Sequence, residues 1–188
     1  MVQLDPNWFL FPMPAALIGA QVEGKPNFMT AAHVGVVNHD PPTLSVGLRP
    51  ARYTLLGVEA NEAFSVCLPS TALLKETDYC GLVSGHKTDK SQVFKTFFGQ
   101  LKTAPLIEEC PVNLECKLIK TLEFKTHRIC FGQVVGCHVQ EGCLTDGKLD
   151  MGKIDPIVYS MSDATYWQVG QPVGKAFQEG KALKAKQG

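Results

Sequence analysis

Two consecutive prolines, Pro41 and Pro42, divide residues 27–54 into two strand-like halves, and this division limits the fold more than any other feature. Proline fixes φ and lacks a backbone donor, so the halves cannot run together as one strand, and residues 38–42 are predicted to form a loop. The first half reads Asn-Phe-Met-Thr-Ala-Ala-His and then turns apolar. The second, Thr-Leu-Ser-Val-Gly-Leu at 43–48, alternates and carries β-branched residues, as a strand does. It closes on Arg49, Arg52 and Thr54. Small polar groups at one end and arginines at the other suit a pocket for an anionic, aromatic ligand.

The rest of the chain keeps the same rhythm. Residues 14–20 form a short apolar run, and the Glu23-Gly24-Lys25-Pro26 cluster is a turn signal, so 17–18 and 28–32 are expected to pair as a hairpin. Residues 54–62 fit a short helix with Leu55 and Val58 on one face, and 64–68 fit a core strand stopped by Pro69. Residues 71–79 read as a second helix. Val93, Phe94, Phe97 and Phe98 also recur at helical spacing. Leu114, Cys116 and Leu118 alternate with Glu115 and Lys117, the pattern of a half-buried strand with its charges outside. Residues 127–141 and 157–161 supply the remaining strands. Short strands separated by turns, with few helices between them, predict a mainly β antiparallel barrel with peripheral helices, not a doubly wound parallel sheet. The 188 residues fit one domain, with a flexible Lys/Ala-rich tail over 181–188.

Formal net charge is zero, so bulk charge supports neither nucleic-acid nor membrane-surface binding. The N-terminal residues lack the pattern of a signal peptide, and no apolar run approaches the ~20 residues that span a bilayer. The expectation is a cytoplasmic protein. Seven cysteines without Cys-x-x-Cys spacing are expected to be reduced, several of them as small buried side chains.

No nucleophile elbow, phosphate loop, zinc-protease or dinucleotide fingerprint occurs. Cys137 and His138 are adjacent, but neighbours in a strand point to opposite faces, which disfavours a shared ligand set. Three segments are chemically suggestive. Arg49, Arg52 and Thr54 offer guanidinium forks and a hydroxyl to an anion. Asn27, Thr30 and Ala31, with the His33 ring beside them, would let a planar group approach the backbone. The loop from Ser84 through Gly85, Lys87 and Lys90 offers hydroxyls, ammonium groups and a flexible glycine, and Asp89 is positioned to cap a following helix. On the residues alone, each segment is equally compatible with a solvated loop, a helix cap or an ordinary edge strand.

In their order along the chain, these segments resemble the flavin reductase-like FMN-binding split-barrel family, most closely its flavoredoxin-like members. The resemblance is carried by Pro14-Ala-Ala-Leu-Ile, Asn27-Phe-Met-Thr-Ala-Ala, Pro42-Thr-Leu-Ser-Val-Gly-Leu-Arg, Arg52-Tyr-Thr, Phe64-Ser-Val-Cys-Leu-Pro-Ser, Asp78-Tyr-Cys-Gly-Leu-Val-Ser-Gly and Asp89-Lys90. It continues through Glu109-Cys-Pro-Val-Asn-Leu-Glu-Cys, Pro156-Ile-Val-Tyr and Gly174-Lys-Ala-Phe. It implies an antiparallel Greek-key split β-barrel that forms a homodimer and holds non-covalent FMN. A reduced nicotinamide nucleotide or a redox protein would supply the electrons. By the same resemblance, Asn27, Phe28, Met29, Thr30 and Ala31 would lie against the isoalloxazine, with His33 where flavoredoxin-like chains often carry tryptophan. Arg49, Arg52, Tyr53 and Thr54 would approach the phosphate, and Ser84, Gly85, Lys87 and Lys90 would complete the pocket. Two other readings stay open: an FMN electron-transfer or storage module without a nicotinamide site, and a cysteine-based redox sensor.

Overall fold

The computed structural model describes residues 1–184. A two-residue strand, β1 (Met13–Pro14), precedes a hairpin of β2 (Ala16–Val22) and β3 (Lys25–Ala31). A second hairpin, β4 (Val34–His39) and β5 (Pro42–Leu48), leads into helix α1 (Tyr53–Asn61) and strand β6 (Ala63–Leu68). Helix α2 (Leu74–Leu82) is followed by a polar loop and the small pair β7 (Thr96–Phe97) and β8 (Leu106–Ile107). The two longest strands come next, β9 (Val112–Glu123) and β10 (Arg128–Val139). The pair β11 (Leu144–Thr145) and β12 (Lys148–Leu149), helix α3 (Met151–Ile154), the hairpin β13 (Ile157–Ser160) and β14 (Thr165–Gln168), and the turn α4 (Lys181–Lys184) follow. Of the tail expected to be flexible, 185–188 lie outside the described residues. No described helix is long and apolar enough to cross a membrane.

Seven strands form one antiparallel sheet in the order β3-β2-β6-β9-β10-β5-β4. Its two edge strands, β3 and β4, are neighbours in sequence, joined only by Ala32 and His33. So short a link obliges the sheet to curl until its edges meet. The Gly47 N–H of β5 donates to the His33 carbonyl (2.8 Å), which extends the β4–β5 ladder onto the link, while the outer side of β3 stays unpaired, giving a split barrel. Inside it pack Ala16, Ile18, Val46, Leu48, Phe64, Val66 and Cys116, with Leu55 and Val58 of α1 closing one end. A second cluster joins Leu17, Phe28, Cys67 and Cys80 to Phe94 beneath α2.

The first hairpin forms as the sequence predicts. Ile18 pairs with Met29, and Glu23 and Gly24 make the turn with φ of 52° and 76°, the conformation a two-residue hairpin favours. Three expectations are corrected. Residues 38–42 are not a loop: His39 pairs with Pro42, and only Asp40 and Pro41 make the turn. Pro42 is tolerated at the start of a strand because its missing N–H interrupts no established ladder. The apolar residues 93–98 form no helix. Phe94 instead packs edge-on against Phe28, with ring centroids 5.5 Å apart, and Phe97 meets the ring of His138. Long-range aromatic contacts outweigh local periodicity here.

Glu115 is the third correction. It is not on a solvated face but fully buried beneath the chain that joins β7 to β8. Its carboxylate accepts from the Leu101 N–H (2.7 Å) and is bonded to His138 Nε2 (2.7 Å). Burial alone would raise its pKa. The bonds from His138 and the Leu101 and Gln100 N–H groups outweigh that, holding the carboxyl below its ordinary range. A carboxylate depressed in the folded state stabilises above the unfolded value of about 4.3, and the contribution is lost as pH falls through the folded value. His138→Ala is expected to lower stability by about 1–3 kcal/mol in denaturant titrations. Glu115→Gln should flatten the acid limb of the stability–pH curve; an unchanged limb would show that the carboxylate is not coupled to folding.

Candidate functional site

Strand β3 has a partner on one side only, so its outer backbone N–H and C=O groups are free for a ligand. Clefts open at both ends of this edge. One, of about 350 Å³, is lined by Asn27, Tyr53, Gly85, Lys87 and Lys90, with Lys25 and His86 at its rim. The other, of about 420 Å³, is lined by Met29, Thr30, Ala31, His33, Arg49 and Arg52, with His127 and Tyr159 facing them.

The head of α1 lies between the clefts. Its N-cap, Arg52, makes no side-chain cap, and the N–H groups of Tyr53 and Thr54 donate to no described protein acceptor. Such a helix start attracts anions through free donors and the helix dipole. Thr54 is buried, and its Oγ1 accepts from Asn27 Nδ2 at 2.7 Å, which leaves its hydroxyl hydrogen for another acceptor. The bond fixes the start of β3 against the start of α1. Gly85 closes the floor: a Cβ there would collide with the Tyr53 ring and the Asn27 amide, so only glycine lets the loop come this close.

Lys90 is almost fully buried. Its Nζ donates to the Cys80 and Val83 carbonyls at the C-terminal end of α2 (3.3 Å each). An ammonium has three donors, so one remains for the cleft. Burial, reinforced by the nearby Arg52 guanidinium, lowers the Lys90 pKa. Among the described residues, neither Arg49 nor Arg52 forms an ion pair. Arg49, Arg52 and Lys90 thus bring unpaired positive charge to the site, a suitable cradle for a phosphate.

The other expected site residues divide by position. Met29 and Ala31 face the barrel core and reach the larger cleft. The Phe28 side chain points the opposite way, into the cluster under α2, so only its backbone lies on the edge. The Thr30 hydroxyl donates to the Thr77 carbonyl, docking α2 on β3. Ser84 lines neither cleft; its carbonyl accepts from the Lys87 and Thr88 N–H groups and shapes the loop. Asp89 caps no helix. It accepts from the Ser91 N–H (2.9 Å) and pairs with Lys25 Nζ (2.8 Å), because no helix follows it.

His127 is a cleft residue that the sequence does not reveal. It sits in the β9–β10 turn, and its ring is 4.9 Å from that of His33. The pairing of Ile129 with Gly47 brings the two together, and nothing local in either segment signals it. Burial, the His33 ring and the two arginines lower its pKa. Of the cysteines, all but the exposed Cys137 are packing groups. Six of the seven are buried, and burial pushes Cys67 and Cys116 up to about 12 and Cys80 and Cys130 up to about 11, which keeps these four as thiols at neutral pH.

An antiparallel split barrel with a cationic cleft along an open strand edge defines a ligand-holding domain, and comparison with known proteins narrows it. The flavin reductase-like domain matches residues 8–167, and the chain belongs to that family. The structure of flavoredoxin from Methanosarcina acetivorans superposes with a TM-score of 0.95 at 45% identity, covering 97% of this chain and 98% of that one. Flavoredoxin of Desulfovibrio vulgaris (Miyazaki F) gives 0.89 at 33%, covering 96% and 99%. A protein of Ancylobacter novellus named FMN reductase (NADH) RutF is 32% identical over 111 residues, 57% of this chain and 58% of that protein.

Asn27→Ala removes the bond to Thr54 and leaves a buried hydroxyl with one partner fewer. The expected cost is about 1–3 kcal/mol in thermal or denaturant unfolding. A cost near zero would mean that the two residues do not hold β3 and α1 together.

Proposed function

We propose that this protein is an FMN-dependent oxidoreductase of the flavin reductase and flavoredoxin type. It would pass electrons from a reduced nicotinamide nucleotide, or another donor, to an acceptor. The observation that carries the reading is the gathering of Arg52, Lys90 and the free Tyr53 and Thr54 N–H groups around the head of α1, between the two clefts on the open β3 edge. That arrangement fits a phosphate joined to a flat ring. Bound FMN supplies the hydride and electron chemistry itself, so no acid–base triad is needed. The residues bind and orient: Arg52, Lys90 and the α1 head take the phosphate, while residues 27–31 present backbone groups and small side chains to the ring. His33 and His127 flank its far end beside Arg49.

The resemblance to FMN-named and flavoredoxin proteins along most of the chain supports the cofactor. The RutF name supports a nicotinamide donor. The similarity to two flavoredoxins along nearly the whole chain equally favours an electron-transfer module reduced by another protein. The buried thiols, held protonated, argue against a cysteine sensor built on them; Cys137 alone is exposed. A homodimer belongs to the reading, supported by exposed Val36 and Val37 on β4 and Ile119 and Leu122 on β9. Sedimentation as a monomer would remove that part.

Purified protein is expected to be yellow or to take up added FMN. Arg52→Ala with Thr54→Ala should weaken FMN by roughly 10–100-fold and riboflavin far less, because only FMN has the phosphate. Equal loss for both ligands would misplace the phosphate. Anaerobic bleaching of the flavin band by NADH or NADPH separates a reductase from an electron-transfer module.

A further inference from the structure

The 350 Å³ cleft has a rim that the fold does not need. Lys25 Nζ bridges to Asp89 Oδ2 at 2.8 Å, with side chains 67% and 52% exposed. Exposed pairs of this kind add little to folding stability. Yet this one joins two segments from opposite walls of the cleft, the strand following the Glu23-Gly24 turn and the 84–90 loop. It is preset from both sides. The tight turn fixes where β3 begins, and the Ser91 N–H holds Asp89 in place. The bond to Lys25, helped by Ser91, keeps the Asp89 carboxyl well below the usual carboxylate range. A second tie runs alongside, where the Tyr53 hydroxyl donates to Glu23 Oε2 at 3.3 Å. The Tyr53 ring in turn meets His86 edge-on, with centroids 4.8 Å apart.

These ties line the same cleft as Lys90, and in the FMN reading they stand beyond the position given to the phosphate. Behind them lie the Lys90 ammonium and the Asn27–Thr54 bond. In that reading a terminal phosphomonoester would end inside the rim. A flavin whose phosphate continues into a second phosphate and an adenosine would have to pass between Lys25 and Asp89, opening the pair and setting its added negative charge beside the Asp89 and Glu23 carboxylates. We propose that the Lys25–Asp89 pair is a specificity latch that admits flavin mononucleotide and rejects flavin adenine dinucleotide. Its force is exclusion: the pair adds no contact to the preferred ligand and penalises the longer one. The inference rests on the FMN reading.

The test is flavin binding to the apoprotein, followed by quenching of flavin fluorescence, with FMN and FAD as the two probes. Lys25→Met and Asp89→Asn both open the latch, and the asparagine oxygen can still accept from the Ser91 N–H. Unmodified protein is expected to bind FMN at least about tenfold more tightly than FAD. Each variant should narrow that ratio by roughly fivefold or more, through tighter FAD binding, with FMN affinity changed by less than about threefold. Salt that screens the pair should narrow the ratio in the unmodified protein and not in the variants. Equal affinity for both flavins in the unmodified protein, or variants that weaken both flavins alike, would overturn the latch and leave the FMN reading standing. Failure to take up either flavin would remove both. Circular dichroism of the variants checks that the fold is intact.

Discussion

A two-residue link sets the form of this protein. Ala32 and His33 join the two strands that end the sheet, and the Gly47 N–H holds the His33 carbonyl at 2.8 Å. Without so short a link the sheet could stay open, and its edges would be ordinary liabilities. With it, the sheet rolls around the core of Ile18, Val46, Phe64 and Val66, and its two edge strands are brought together at residues 32 and 33. The barrel is split because the link is short at one end and nothing pairs β3 along the rest of its outer side. The clefts follow from that geometry, with the free strand edge as their common wall.

Electrostatics gives the clefts their character. The chain is neutral overall, but among the described residues Arg49, Arg52 and Lys90 form no ion pair. Arg52 stands at the boundary of the two clefts, and its field reaches both Lys90 and His127. A buried ammonium beside a guanidinium and a bare helix start is tolerated because the Cys80 and Val83 carbonyls stabilise it. A bound anion completes the compensation. The acidic counterpart, Glu115 with His138, lies outside the cleft and fastens a loop, so the fold separates its buried negative charge from its buried positive charge.

Much of this is legible in the sequence, for reasons that can be stated. Turn chemistry at Glu23-Gly24 and alternation at 43–48 are local signals, and both elements form there. The helix carrying Leu55 and Val58 also forms, because its apolar positions fit a helix period and face the core. The misreadings occur where distant contacts decide. Phe94 and Phe97 have helical spacing but find aromatic partners far along the chain. Glu115 looks solvated because its neighbours alternate, yet a loop about fifteen residues upstream covers it. At the site, residues in β3 and at the head of α1 could be named from chemistry and resemblance. His127 could not, since only the register of β10 against β5 carries it to His33.

Lys90 has a consequence for how the apo and loaded protein would differ in order. Its ammonium caps the last carbonyls of α2 and also borders the cleft. An anion that draws the ammonium toward the cleft loosens its hold on Cys80 and Val83, and an empty cleft lets the cap tighten. If the cleft takes an anion there, occupancy and the end of α2 would be thermodynamically linked through one side chain. Thr30 extends the link, since its hydroxyl docks on the Thr77 carbonyl of the same helix. The last turns of α2 become the part of the fold whose amide exchange reports what the cleft contains.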